Sequence, residues 1–271
     1  MSLDEVRKSK LMKDLGDFGY GVLEGVLSKP ECAKLSDHLD AIEAERRREK
    51  DIFIDEQRVM LWNIHQSHPD VFLDKINVPA VMSVVQSVLK ESVILGSFSG
   101  IRNQERHVKI NTHIDSRVPI RDFDSTIQMV AMFCVTDFTV ENGSTYLWPY
   151  SHRSGLNPKE IYPPGTPLPG NVQCEARAGD VLFFLGQTWH DVGPNLSGQK
   201  RWGLLAYYGR WWVKPSFDYT QCGPELFKRL SPEQKVLFGF NSRPPVNASH
   251  RLNTVMPIEK VPEDYAAALA S

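Results

Sequence analysis

The sequence predicts a mainly β protein, a barrel or sandwich of short strands with helices added at its ends. Three observations predict it. From residue 92 the chain breaks into SVILGSFSGIR, HVKINTHID, STIQMVAMFCVTDF, STYLWPYSH, VQCEARAGDVLFFLG and RWGLLAYYGRWWV, rich in β-branched and aromatic residues. Gly, Pro, Asn and Asp separate these runs, and Asn142-Gly143 and Gly179-Asp180 mark turns. Helical periodicity is confined to segments before and after them.

The elements follow in order. Residues 17–27, DFGYGVLEGVL, alternate small and apolar residues like a strand. Ser28-Lys29-Pro30-Glu31 then reads as a capping box: hydroxyl at the N-cap, proline in the first turn, Glu at N3. The helix it opens is expected to reach Lys50, burying Cys32, Leu35, Leu39 and Ile42. A second helix is expected over 78–91. Residues 154–172 hold five prolines without periodicity, which predicts a long loop of the kind that covers a site. With 50–64 it is a candidate lid. A helical pattern returns over 223–238. No repeat or linker divides the chain. One domain over 1–271 is expected: a helical part over 1–91, a β core over 92–215 and a helical extension over 216–271.

The 271 residues are 41% hydrophobic and 24% charged, ordinary for a globular protein with a full core. A net charge of −2 gives no reason to expect nucleic acid or an anionic membrane as partner. The N-terminal residues are polar and charged, and no run approaches the roughly 18 apolar residues of a membrane helix. Four cysteines (Cys32, Cys134, Cys174 and Cys222) are scattered without CxxC spacing, as reduced thiols would be. A cytoplasmic location is the expectation.

His113-Ile114-Asp115 carries the chemistry. Residues two apart on a strand share a face, so His113 and Asp115 aim an imidazole and a carboxylate at one point. With His107, Lys109 and Asn111 they make a polar strand face, costly to bury unless something binds there. His190, at the end of the apolar run AGDVLFFLGQTWH, is expected to face His113 across a barrel. Two His and one carboxylate suit Fe(II) and leave three positions open for a co-substrate and O2. Arg201, leading RWGLLAYY after a hairpin-length connection, is expected on the strand beside His190. There its guanidinium would grip a co-substrate carboxylate.

In combination, H-I-D, ENGSTYLWPYSH, AGDVLFF and HDVGPNLSGQKRW resemble the phytanoyl-CoA dioxygenase family of Fe(II)/2-oxoglutarate oxygenases. The early FGYGVLEGVLS segment resembles that family's opening, and the likeness spans residues 15–215. The resemblance implies a double-stranded β-helix, or jelly-roll, with buttressing helices. It implies iron on His113, Asp115 and His190, and 2-oxoglutarate with its distal carboxylate on Arg201. It also implies C–H oxidation, most simply hydroxylation, with release of succinate and CO2. An Asp at 115 points away from halogenation, for which relatives replace the carboxylate by a small residue. The family often carries a hydroxyl residue two after the Arg, where Gly203 stands here. Gln128 and Thr145 are therefore candidates for further co-substrate contact. His152 is expected beside the site rather than on the metal.

The substrate is expected to be a small free molecule. Lys109, Asn111, His107 and Arg117 are candidates for a polar or anionic group, and Trp62 for an apolar wall. A homodimer built on the C-terminal helical region is compatible with the residues but not demanded by them. Two other functions stay open: a cupin-like metal enzyme that needs no 2-oxoglutarate, and a non-catalytic metal or 2-oxoglutarate sensor.

Overall fold

The computed structural model describes residues 4–90, 92–106 and 109–242. His107 and the chain after Ser242 lie outside them. In chain order the elements are α1 (Glu5–Phe18), β1 (Tyr20–Leu23), α2 (Lys29–Glu49), β2 (Phe53–Ile54), β3 (Arg58–Trp62), α3 (Ile64–Ser67), α4 (Pro69–Phe72), α5 (Pro79–Leu89), β4 (Val93–Asn103), β5 (Gln128–Cys134), β6 (Thr145–Leu147), α6 (Pro158–Ile161), β7 (Val172–Cys174), β8 (Val181–Leu185), β9 (His190–Val192), β10 (Trp202–Arg210), α7 (Pro224–Arg229) and α8 (Pro232–Leu237).

Seven strands form one antiparallel sheet in the order β1-β8-β5-β10-β4-β3-β2, and three form a second, β7-β6-β9. The two sheets close over a shared interior as a jelly-roll. Alternation assigns the faces. Val130, Met132 and Cys134 of β5 and Leu182 and Phe184 of β8 point inward and pack with Leu147, Cys174 and Phe138. Met129, Ala131 and Phe133, with Trp202, Leu204 and Ala206 of β10, point outward onto Leu35, Leu39 and Ile42 of α2 and Val81, Val84 and Val85 of α5. Both faces are covered, so β5 and β8 are apolar at nearly every position.

Ser28 caps α2 as expected, accepting from the Glu31 amide, and the buried stripe is the predicted one with Glu43 added. Glu31 itself does not close a box; its carboxylate pairs with Lys75 instead. Three features depart from the sequence reading. The polar N-terminus forms α1, which Asp4 caps and whose Leu11 and Leu15 are buried. The first 91 residues are not helical alone, because β1, β2 and β3 enter the large sheet. The 223–238 helix is two short ones, broken where Leu230 turns extended ahead of Ser231-Pro232. No single helix among the described residues is long and apolar enough to cross a membrane.

Candidate active site

After Leu185 the chain leaves the large sheet. Gly186–Trp189 turn across to the small one, and β9 begins at His190. His113 meets it directly, through a lone antiparallel bridge whose two amide–carbonyl bonds are 3.1 and 3.0 Å. This corrects two expectations. Residues 109–115 form no continuous strand, and His190 stands beside His113 rather than across a barrel from it. The reason is local: the Asp115 and Ser116 amides both donate to the Gly186 carbonyl, at 2.8 and 2.7 Å, which pulls the chain out of ladder geometry. Thr188, two residues before His190, turns away to donate to the Gly19 carbonyl.

The three side chains converge all the same. One ligand atom from each of His113, Asp115 and His190 lies within 4.8 Å of the others. The Asp115 oxygens stand 3.7 Å from His113 Nε2 and 3.5 Å from His190 Nε2. Each Nδ1 faces a carbonyl, Asn111 at 2.7 Å and Thr188 at 3.0 Å. A carbonyl only accepts, so each Nδ1 carries a proton, and Nε2, turned toward Asp115, is the ring atom placed to hold a metal. Burial and the neighbouring His190 hold His113 well below the ordinary histidine range, which keeps it neutral. Two imidazoles that turn Nε2 toward one carboxylate are a donor set that fits a divalent iron.

Arg201 lies just ahead of β10 on its inward face, 2% exposed. Its Nη1 donates to the Gly143 carbonyl at 2.8 Å, its guanidinium lies 4.3 Å from the Phe138 ring centre, and its Nε has no partner. Burial pushes its pKa down to about 10. Among the described residues it has no carboxylate to pair with. A buried cation left this way is costly and awaits an anion. It is not on the strand beside His190, as expected: β10 runs between β5 and β4 in the large sheet, while β9 pairs with β6. The connection crosses between sheets instead of making a hairpin.

The structure also explains Gly203. A Cβ there would stand 2.8 Å from Met132 Sδ and 3.1 Å from the Phe138 ring, so a hydroxyl side chain would have to displace Met132. Gln128 and Thr145 are both buried. Gln128 packs under Gly186, the turn that anchors Asp115. Thr145 is two residues from Leu147, which pairs with His190. Trp62 is on the inward face of β3 against Phe217. Lys109 is half-exposed, 3.6 Å from Glu56, and Arg117 is exposed. Asn111 acts through its backbone, as the acceptor for His113 and the donor to Asp191.

The long loop is held down by two neighbouring indoles at one end of the small sheet, where the Trp148 amide donates to the Trp189 carbonyl. Trp189 Nε1 donates to the Leu156 carbonyl and Trp148 Nε1 to that of Pro169. The other lid candidate, 50–64, is largely the β2–β3 hairpin, whose β3 is fully paired to β4. His152 is buried and faces the Gly16 carbonyl, away from the metal ligands.

Sequence reasoning missed three supports. Asp191 accepts from the amides of Asn111 and Val192 and from Gln57 Nε2. Tyr207 donates its hydroxyl to the Asp115 carbonyl at 2.9 Å. Asn103 donates to the Asn142 carbonyl and accepts from Asn195, bracing the Gly143 turn that holds Arg201. A charged residue beside His190 was the available signal for the first. The other two are contacts of inward-facing residues far apart in sequence.

Jelly-roll, two-His-one-carboxylate centre and buried arginine together define a class of metal enzyme. The chain matches the model of the phytanoyl-CoA dioxygenase family over residues 16–203 and belongs to that family. It is thereby of the non-haem iron, 2-oxoglutarate-dependent dioxygenase class. It is 25% identical to the uncharacterized protein Rv1501 of Mycobacterium tuberculosis, over 89% of this chain and 88% of that one. It is 27% identical to dioxygenase af480 of Aspergillus fumigatus, over 60% and 53%. In fold it resembles HygX of Streptomyces hygroscopicus, solved with nickel and 2-oxoglutarate, with TM-score 0.62, 16% identity and 76% and 88% coverage. It also resembles the epimerase SnoN from nogalamycin biosynthesis, solved with Fe3+, alpha ketoglutarate and nogalamycin RO, with TM-score 0.59, 18% identity and 94% and 96% coverage.

Proposed function

We propose that this chain, as a single domain, oxidises a C–H bond of a small molecule, most simply by hydroxylation, consuming 2-oxoglutarate and O2 and releasing succinate and CO2. The observation that carries the reading is the pairing of the His113/His190/Asp115 cluster with a buried arginine that has no carboxylate partner among the described residues. His113 Nε2, His190 Nε2 and Asp115 are the iron ligands, and Arg201 holds the distal carboxylate of 2-oxoglutarate. When bound there, iron supplies the redox chemistry between O2, 2-oxoglutarate and the substrate.

The protein's own part is positional. The Asn111 and Thr188 carbonyls hold both imidazoles in one tautomer and orientation. Gly186 and Tyr207 fix the backbone of Asp115 from both sides. Phe184, its ring centre 4.6 Å from that of His190, packs against that imidazole and holds its orientation. Gln128 and Thr145 are the side chains we assign to the co-substrate pocket. Lys109, Asn111, Arg117 and Trp62 are assigned to the substrate side.

Anaerobic titration of the protein with Fe(II) and 2-oxoglutarate tests this. A visible charge-transfer band that is absent in His190→Ala supports the reading. An iron-loaded protein that forms no band sinks the 2-oxoglutarate assignment and favours a metal enzyme of another kind. The mass of the product from a substrate screen then separates hydroxylation from epimerisation, the reaction in SnoN's name.

A further inference from the structure

The last turn of α1 is tied to the residues that lead into His190. Helix C-termini leave carbonyls without partners inside the helix. In α1 two distant segments take them up. The Gly16 carbonyl accepts from His152 Nε2 and Arg153 Nη2, at 3.1 and 2.6 Å, and the Phe18 carbonyl accepts from the Tyr150 amide at 3.2 Å. The Gly19 carbonyl accepts from the Leu185 amide at 2.9 Å and from the Thr188 hydroxyl at 2.8 Å. Gly19 is left-handed, with φ +88°, and a Cβ on it would stand 2.6 Å from both His152 Nδ1 and Thr188 Oγ1. Only glycine takes that backbone conformation freely and leaves both side chains their space.

Ser151 holds the other side of the same stretch. Its hydroxyl donates to the Trp148 carbonyl at 2.6 Å and accepts from the Trp189 amide at 2.9 Å. The two residues ahead of His190 are thus each fixed by a side-chain hydroxyl, Thr188 against α1 and Trp189 against the 148–153 turn. Thr188 is fully buried. Its hydroxyl bond fixes the direction of its own peptide group, whose carbonyl receives His190 Nδ1–H at 3.0 Å. Without that bond the carbonyl is free to rotate, and the imidazole loses the acceptor that orients it.

We propose that Thr188, Ser151 and Gly19 are positioning residues for His190, and that α1 acts through them to set the direction in which His190 Nε2 points. The proposal rests on the reading of His113, Asp115 and His190 as metal ligands. It also gives His152 and Arg153 a role: they seat the end of α1 against the turn that carries Ser151.

The test uses Co(II) alone, whose visible d–d bands report the geometry of its ligands and need neither 2-oxoglutarate nor O2. Thr188→Val keeps the branched shape and removes the hydroxyl. It is expected to bind Co(II) about tenfold more weakly than the wild type, as losing a partner behind a metal-binding histidine does, and to shift those bands. Thr188→Ser keeps the hydroxyl and is expected to restore both. Ser151→Ala is expected to shift the bands as well, and it decides the matter if Thr188→Val does not fold. Wild-type affinity and bands in a folded Thr188→Val or Ser151→Ala chain overturn the proposal, even if stability in urea falls. A Thr188→Ser chain no better than Thr188→Val overturns it too. Failure of the metal-ligand reading looks different: His190→Ala then binds Co(II) like the wild type, and the proposal falls with that reading.

Discussion

Asp191 Oδ2 accepts a hydrogen bond from the Asn111 amide at 2.7 Å. That bond joins the residue after one metal-binding histidine to the residue two before the other. Asp191 Oδ1 takes the Val192 amide and Gln57 Nε2, at 2.8 and 3.0 Å, so the same carboxylate also ties in the β2–β3 hairpin. The distance between His113 and His190 is therefore set by a residue that need not touch the metal. Asp191→Ala removes this acceptor from the Asn111 and Val192 amides, while Gln57 Nε2 keeps only the Lys109 carbonyl, and stability should fall by about 2 kcal/mol in urea unfolding. Iron affinity should drop about tenfold to hundredfold in a competitive chelator titration. Unchanged iron affinity in a folded variant would refute the positioning role.

Arg201 stands in the interior without a carboxylate partner. Arg201→Met should still take up Fe(II) but bind 2-oxoglutarate about tenfold to hundredfold more weakly, since a charge-assisted bond is lost. Titrating the charge-transfer band against 2-oxoglutarate reads the change. Arg201→Lys should recover little, because an ammonium cannot make the paired contact of a guanidinium fork. Wild-type affinity in the methionine variant would remove Arg201 from the co-substrate site.

Gly203→Ser asks whether the missing hydroxyl is a gap or a consequence of packing. With Met132 Sδ 2.8 Å from the would-be Cβ, the change should cost about 1–3 kcal/mol and bring no gain in 2-oxoglutarate affinity. A variant of unchanged stability that binds the co-substrate more tightly would show that the interior has room after all.

His65 supplies a pH dependence remote from the metal. It is fully buried among Phe98, Tyr219 and Phe238, neither ring nitrogen has a hydrogen-bond partner, and burial pushes its pKa from 6.5 down to about 3. The depressed value means that the unfolded chain takes up the proton first. The stability His65 contributes is full above the unfolded value near 6.5 and is lost as pH falls toward about 3. Between pH 7 and pH 5 that loss is about 2 kcal/mol. His65→Leu should flatten this part of the profile in denaturant titrations at several pH values. An equally steep profile in the variant would place the acid sensitivity elsewhere.

Alternation and turn residues alone determined that this chain makes a β barrel. The inward residues of β5 and β8 other than Gln128 are apolar because they pack against one another inside the barrel, and the outward ones are apolar because helices cover them. The Ser28 cap and the stripe from Cys32 to Ile42 were legible for the same reason: they are local patterns set by the backbone period. So were the residue types of the metal centre, since a histidine and a carboxylate two apart, followed by a distant histidine and arginine, have few other uses together. What only the tertiary structure decided is which strands are neighbours. His190 pairs with His113 and β6, while Arg201 opens a strand of the other sheet, because a jelly-roll passes consecutive strands between sheets. The supports at Asp191, Tyr207 and Asn103 and the tight packing at Gly203 join residues dozens of positions apart. Sequence periodicity reports the face a side chain takes. Only the folded chain determines what stands opposite that face.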